Sequence, residues 1–244
     1  MDVHESVQQF WDHDAPTYDR SATHWPQTAA EQAAWTRLLQ RALPPPPARV
    51  LDVGAGTGFL ALPAARLGHD VTALDLSPAM LEQLTDKAHA AGLAVTTVAA
   101  PAHQPPAGPF DAVVSRHLLW TLPDPWAALR RWRGACPEGQ LLLVEGAWGA
   151  SEPGQRWRAW AHAGLRRVRR AQPAHHGSYD AAVWQALPLS GGTDPNAVVE
   201  AARGAGWRDA GLARLRDVEW TRRRAQPLPE RWVGTIPQFA VIAR

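Results

Sequence analysis

The chain has 244 residues, enough for one α/β domain with an elaboration, and its net charge of +2 does not call for a nucleic-acid partner. Cys136 is the only cysteine, which excludes an internal disulfide, and no apolar run approaches the roughly 18 residues of a membrane span. Met1 to Glu5 lack a basic region followed by an apolar run, so a signal peptide is not expected and a cytoplasmic setting is. Among 25 lysines and arginines, lysine occurs once, at Lys87.

Residues 1–43 read as a helical cap. Val7, Phe10, Trp11 and Asp14 open it, and Asp14 to Asp19 break the pattern. Thr28 to Leu43 is a better helix, with Trp35, Leu38, Leu39 and Ala42 at core spacing. Pro44 to Pro47 end it and lead stiffly into a strand. Residues 44–147 read as the core. Val50 to Val53 suit a buried parallel strand, followed by Gly54, Gly56 and Gly58, where a ligand can approach bare backbone. Thr57 is expected to start a helix with Leu60, Ala61, Ala64 and Leu67 on one face. A second strand, Val71 to Leu74, ends in Asp75, 21 positions after Gly54, where a Rossmann-like unit holds a ribose.

Ser77-Pro78 then starts a helix carrying Met80, Leu81 and Leu84. Further strands are expected at Val95–Val98, Phe110–Ser115 and Gln140–Val144, with a helix from Asp124-Pro125 between the last two. Residues 148–194 read as a helical insertion. Trp157 and Trp160 lie on an apolar stripe there, with arginines off it, and a short helix runs from Ala181 to Leu187. Residues 195–244 complete the core. Asp194 caps a helix through Ala205, and Leu212–Trp220 and Ile236–Ile242 read as the last two strands.

The spacing of the glycines carries a resemblance. A dinucleotide dehydrogenase places its third glycine where Phe59 stands; here the pattern is G-x-G-x-G, with Asp52 before it and Asp75-Leu76-Ser77-Pro78-Ala79-Met80 after it. Val50 to Leu84 thus resembles the class I S-adenosyl-L-methionine (SAM) methyltransferases, among them the small soluble ones acting on varied acceptors. The resemblance implies an α/β fold: a Rossmann-like sheet of seven mostly parallel strands, helices on both faces, a helical cap, and a closing strand antiparallel to its neighbours. It implies SAM as cofactor and S-adenosyl-L-homocysteine as product. Asp52, Gly54, Ala55, Gly56 and Gly58 would form the cofactor loop, and Asp75 would take the ribose with Leu76 beside it. Met80 would pack on adenine, and Tyr18 would close over the methionine end. Ser115 and Arg116, at the carboxyl end of the fourth strand, would face the cofactor. The family's adenine-binding acid is replaced by Pro101, which leaves the backbone N–H of Ala102, or His103, to reach the ring.

The implied reaction is in-line methyl transfer, in which the protein chiefly positions the acceptor and excludes water. If the acceptor arrives protonated, His117 and His24 are the candidate bases. The 13 tryptophans avoid the stretch between Trp35 and Trp120. Some of Trp25, Trp120, Trp157, Trp160 and Trp184 are therefore expected to wall a pocket for a small planar or apolar acceptor. No residue spacing makes a metal site. No nucleic acid or membrane partner is expected, and the protein is expected to be a monomer or homodimer. The competing readings are a methyltransferase for tRNA, rRNA or protein, whose support is the arginine-rich helix at 156–170, and a SAM-binding protein without activity, whose support is Pro101.

Overall fold

A computed structural model describes residues 3–21, 23–146, 179–228, 231 and 237–244. Trp157, Trp160 and the arginine-rich helix expected at 156–170 lie outside these residues. The described elements are α1 (Val3–Asp14), α2 (Ala29–Ala42), β1 (Arg49–Val53), α3 (Ala61–Arg66), β2 (Asp70–Asp75), α4 (Pro78–Ala90), β3 (Thr96–Ala99) and β4 (Ala112–Arg116). They continue with α5 (Pro125–Ala135), β5 (Gln140–Gly146), α6 (Ala181–Ala186), α7 (Pro195–Gly204), β6 (Gly211–Arg214), α8 (Arg216–Ala225) and β7 (Gln238–Ala243). Single 3₁₀ turns lie at Tyr18–Arg20 and Leu119–Thr121.

The strands form one seven-stranded sheet in the order β3-β2-β1-β4-β5-β7-β6. β1 to β5 are mutually parallel wherever they pair, and β7 is antiparallel to both β5 and β6. Successive side chains of the central strands feed opposite cores, because strand residues alternate between faces. Val50, Val71, Ala73 and Val114 pack against α2, α3, α4 and α8 through Trp35, Leu39, Leu62, Leu84 and Val218. Leu51, Val53, Leu74 and Val113 pack against α5 and α7 through Leu129, Trp132, Val198 and Ala202. A third, small core joins Val7 of α1 to Tyr179, Val183 and Leu187.

The helix starts fall where capping chemistry puts them. The side chains of Thr28, Ser77, Asp124 and Asp194 each accept a backbone N–H in the first turn of α2, α4, α5 and α7, and proline opens the last three.

Two expectations are corrected. Thr57 does not start α3, which begins at Ala61; Thr57 stays in the turn, where its hydroxyl donates to Asp19 Oδ1 at 2.5 Å. The stretch Leu212–Trp220 is a strand only to Arg214. Leu215, Val218 and Thr221 recur at helical spacing and are buried, Asp217 and Glu219 fall in the first turn, and Arg222 to Arg224 fall in the last. That charge order suits the helix dipole and outweighs the local alternation.

The register places the site. Val53 pairs with Leu74 on one side and with Ser115 on the other, so the glycine turn, Asp75 and Arg116 leave the sheet side by side. From β1 the chain passes to β2, while β4 lies on the opposite flank, so this edge is the switch point at which open α/β sheets bind ligands. No helix among the described residues is long and apolar enough to cross a membrane.

Candidate active site

The three glycines of the turn have φ of 68° (Gly54), 53° (Gly56) and 96° (Gly58), a region other residues rarely adopt. They are needed for different reasons. A Cβ on Gly58 would stand 2.9 Å from Leu62 Cγ and 3.0 Å from Leu84 Cγ, so this glycine serves the core. A Cβ on Gly56 would meet nothing within 4 Å; it would project into open space. The turn is bound to the end of β2: Gly56 N–H donates to Asp75 Oδ2 at 2.7 Å, and Gly54 N–H donates to the Leu74 carbonyl at 2.8 Å. Ser77 N–H holds the other Asp75 oxygen at 2.9 Å.

A cavity of about 350 Å³ opens above this turn, within the size range of small-molecule sites. Gly54, Gly56, Asp75, Leu76 and Met80 line one side, Ala100 to His103 and the first turns of α5 another, and Arg116 to Leu118 the β4 end. Val3, His4, Val7 and Trp11 of α1, with Tyr18, roof it. The Pro101–Ala102 segment is fixed from behind, because Trp132 Nε1 donates to the Ala102 carbonyl at 2.7 Å.

Arg116 is the buried cation of the cavity, only 8% exposed. Its Nη2 donates to the Thr23 carbonyl at 2.6 Å, and its guanidinium carbon lies 3.7 Å from the centre of the Phe59 ring. Its Nε has no hydrogen-bond partner among the described residues. Burial, and then the neighbouring Arg222, lower its pKa to about 9. Arg222 is itself paired with the buried Glu31 at 2.6 Å. Opposite charge lies close by. Burial raises Asp52 to about 7, with the Ala61 N–H pulling the other way, and raises Glu145 to about 7. Asp52 Oδ2 is buried with no partner among the described residues. Burial also raises Asp75 and pushes the Tyr18 hydroxyl up to about 12.

His117 lines the cavity with φ of 55°. The amide nitrogen of Gln238 lies 2.8 Å from its Nε2, and Glu145 Oε2 lies 3.9 Å from its Nδ1. The amide nitrogen can only donate, which makes Nε2 the acceptor of a neutral ring. Burial accordingly draws His117 well below its ordinary pKa, helped by Arg116 and Arg222. The other oxygen of Glu145 accepts from the N–H groups of Leu118 and Leu119 at 3.1 and 3.0 Å, fixing the turn that presents His117.

Of the residues expected from sequence, the cavity thus gathers Tyr18, Gly54, Gly56, Asp75, Leu76, Met80, Ala102, Arg116 and His117. Asp52, Ala55, Gly58 and Ser115 stand behind its wall, Ser115 with its hydroxyl donating to the Val53 carbonyl at 2.8 Å. His24 stacks on Tyr18, ring centres 3.9 Å apart, and does not reach the cavity. Trp25 packs edge-on to Phe59, also outside the cavity. Trp120 and Trp184 join Trp11 and Tyr179 in an aromatic cluster with ring centres 5.8–6.5 Å apart. Of these four rings only Trp11 faces the cavity. Sequence reasoning passed over Trp11 as a lining residue, although it stands in the same cap segment as Tyr18, which was expected to close over the cofactor. It also passed over Glu145, at the carboxyl end of β5, the first turns of α5, and Gln238, whose partner His117 is 121 residues away. Among the described residues no group of three or more His, Cys, Asp or Glu could hold a metal ion.

The chain is similar to known proteins in sequence and in fold. A ubiquinone biosynthesis O-methyltransferase of Xanthomonas campestris is 38% identical over 104 residues, a match spanning 41% of this chain and 43% of the relative. Among solved structures, phosphoethanolamine N-methyltransferase 2 of Haemonchus contortus, in complex with phosphomonomethylethanolamine and S-adenosylhomocysteine, is similar with a TM-score of 0.66 at 17% identity. That likeness covers 100% of this chain and 60% of the other. The DhpI–SAH complex has a TM-score of 0.62 at 19% identity, covering 99% of this chain and 96% of that one. At these identities the structures speak for the fold: it is that of the class I methyltransferases. The family model described as a methyltransferase domain matches residues 27–179, more than half of the sequence and the whole of the β1–Asp75 unit, and the chain belongs to that family.

Proposed function

We propose that the cavity binds SAM and that the protein transfers its methyl group to a small-molecule acceptor, releasing S-adenosyl-L-homocysteine (SAH). The observation that carries this reading is the pairing of Gly56 and Asp75: bare backbone with open space above it, bonded to a carboxylate that lines the same cavity. The relative named as an O-methyltransferase and the similar structures solved with SAH support it.

In this reading Asp75 accepts from the ribose hydroxyls, since a carboxylate already holding two N–H groups keeps lone pairs for two O–H groups. Leu76, Met80 and the Ala100–Ala102 segment enclose the adenine. The unpartnered Arg116 Nε suits the carboxylate of the amino-acid end, and Asp52 supplies negative charge near its ammonium. Tyr18 and Trp11 close the roof. SAM, when bound, supplies an electrophilic methyl on a good leaving group. The chain's own work is to align the acceptor and exclude water. An acceptor oxygen or nitrogen that carries a proton loses it as the new bond forms, and His117, neutral and in the wall, can take it at Nε2 once that nitrogen gives up the Gln238 amide for the acceptor.

The acceptor side falls beside Trp11, at the end of the cavity backed by Trp120 and Trp184. A small planar or apolar acceptor fits that composition. A monomer or homodimer working in the cytoplasm without nucleic acid is the matching setting. The test is incubation with methyl-labelled SAM and panels of phenols, amines and carboxylates, followed by product analysis. The reading expects label in a small molecule with matching release of SAH. Label appearing only in tRNA or protein would overturn it.

A further inference from the structure

The one lysine of an arginine-rich chain is not on an open surface. Lys87, in the last turn of α4, reaches back to the junction between the cap and the glycine turn. Its Nζ donates to Asp19 Oδ2 and, at 2.8 Å, to the carbonyl of Thr57. It also sits 4.1 Å above the centre of the Trp25 ring. An ammonium has three donors around one nitrogen, and here the three surroundings are a carboxylate, a carbonyl and an aromatic face. A planar guanidinium spreads its donors over three nitrogens and cannot converge on those partners in the same way.

The partners belong to two parts of the protein. Asp19 and Trp25 come from the N-terminal segment that roofs the cavity; Thr57 lies between Gly56 and Gly58. The second oxygen of Asp19 accepts from the Thr57 hydroxyl at 2.5 Å, so Thr57 is held at both its side chain and its carbonyl. The side chains of Lys87 and Asp19 are 25% and 32% exposed, buried enough for the pair to exceed an open surface ion pair. The same segment is fastened once more beside Asp75: Asp12 Oδ1 accepts from the Ser77 hydroxyl at 2.5 Å and from Ala79 N–H at 3.3 Å. The roof therefore closes by bonding to the two turns that face the cavity.

We infer that Lys87 is a positioning residue for the cofactor: its ammonium fastens the closed cap to the glycine turn, so that closing the roof and shaping the turn are one event. The inference rests on the reading of the cavity as the SAM site. Admission of a nucleoside-sized ligand lifts the cap and separates Lys87 from Asp19. A bound ligand holds the two together.

Because Lys87 is the only lysine, side-chain amine acylation reports on it alone, once the N-terminal amine is separated by peptide mass. Acylation of wild-type protein by an N-hydroxysuccinimide ester is followed with and without saturating SAH, after calorimetry has established SAH binding. The inference expects SAH to slow acylation of Lys87 by roughly tenfold or more, and Asp19→Asn to speed it without SAH. It expects Lys87→Met and Lys87→Arg alike to weaken SAH binding by roughly tenfold, the scale of one lost charge-assisted bond, with circular dichroism unchanged. SAH that binds wild type yet leaves the acylation rate unchanged overturns the inference and spares the SAM reading. Full rescue by arginine overturns the requirement for an ammonium. Failure of wild type to bind SAH overturns the SAM reading and this inference with it.

Discussion

The N–H of Gly56 donates to Asp75 Oδ2 at 2.7 Å, so the glycine turn after β1 and the acid ending β2 form one rigid unit. With Ser77 N–H on its other oxygen, the carboxylate is oriented before any ligand arrives. Asp75→Ala is expected to weaken SAH binding by about 1.5–3 kcal/mol, the range for hydrogen bonds to a charged group. Isothermal calorimetry reads this directly. An unchanged dissociation constant would remove Asp75 from the site.

The glycines should separate by effect. Gly58→Ala places its Cβ against Leu62 and Leu84, so thermal melting should shift down. Gly56→Val has open space in the protein and bears mainly the backbone strain of a positive φ, about 1–2 kcal/mol. Its branched side chain occupies the volume assigned to the cofactor, so SAH binding should be lost more completely than in Asp75→Ala. Equal loss of melting temperature in both variants, with binding intact in Gly56→Val, would contradict the assignment.

Stability should depend on pH through Glu145, a buried acid raised from 4.5 to about 7. Between those values the native state holds the proton and the unfolded state does not. The stabilisation is therefore complete below about pH 4.5 and is lost as pH rises through about 7, by roughly 1.4 kcal/mol per pH unit. Glu145→Gln keeps an oxygen for the Leu118 and Leu119 N–H groups but cannot ionise. Its melting temperature should fall less than that of wild type over the same pH interval. Parallel curves would show that Glu145 does not titrate there.

Pro101 lines the cavity in a segment pinned by Trp132. Pro101→Asp supplies an acceptor where the proline side chain has none, so SAM affinity should hold or improve in a direct titration. Collapse of binding would mean that this loop meets the adenine differently.

The legible part of the molecule was the local part. The run from Val50 to Leu84 contains a whole strand–turn–helix–strand–acid unit, so its spacing carried the resemblance that implied the fold and the placing of the glycine turn and Asp75, while the bond between Gly56 and Asp75 is visible only in the structure. The caps at Thr28, Ser77, Asp124 and Asp194 were legible because a capping side chain bonds only two or three residues ahead. The rest depends on partners far apart in the chain. Gln238 meets His117 across 121 residues, Arg116 meets Thr23 across 93, and Lys87 meets Asp19 across 68. Hydrophobic periodicity says which face is buried but not which polar groups meet once the sheet is assembled. The tryptophans show the same limit. Trp120 and Trp184 pack on their neighbours while Trp11 faces the cavity, and Trp157 and Trp160 lie outside the described residues. The helix α8 was misread because Leu212 to Trp220 alternates over a few residues before the helical period takes over.

The central claim is that SAM occupies the cavity above Gly56. Titration of SAH into wild type and into Gly56→Val, with folding of both checked by circular dichroism, tests it most directly. The account predicts one site per chain in wild type and none measurable in the variant. A folded wild-type protein that takes up neither SAH nor SAM, or a Gly56→Val protein that binds SAH as wild type does, would contradict it.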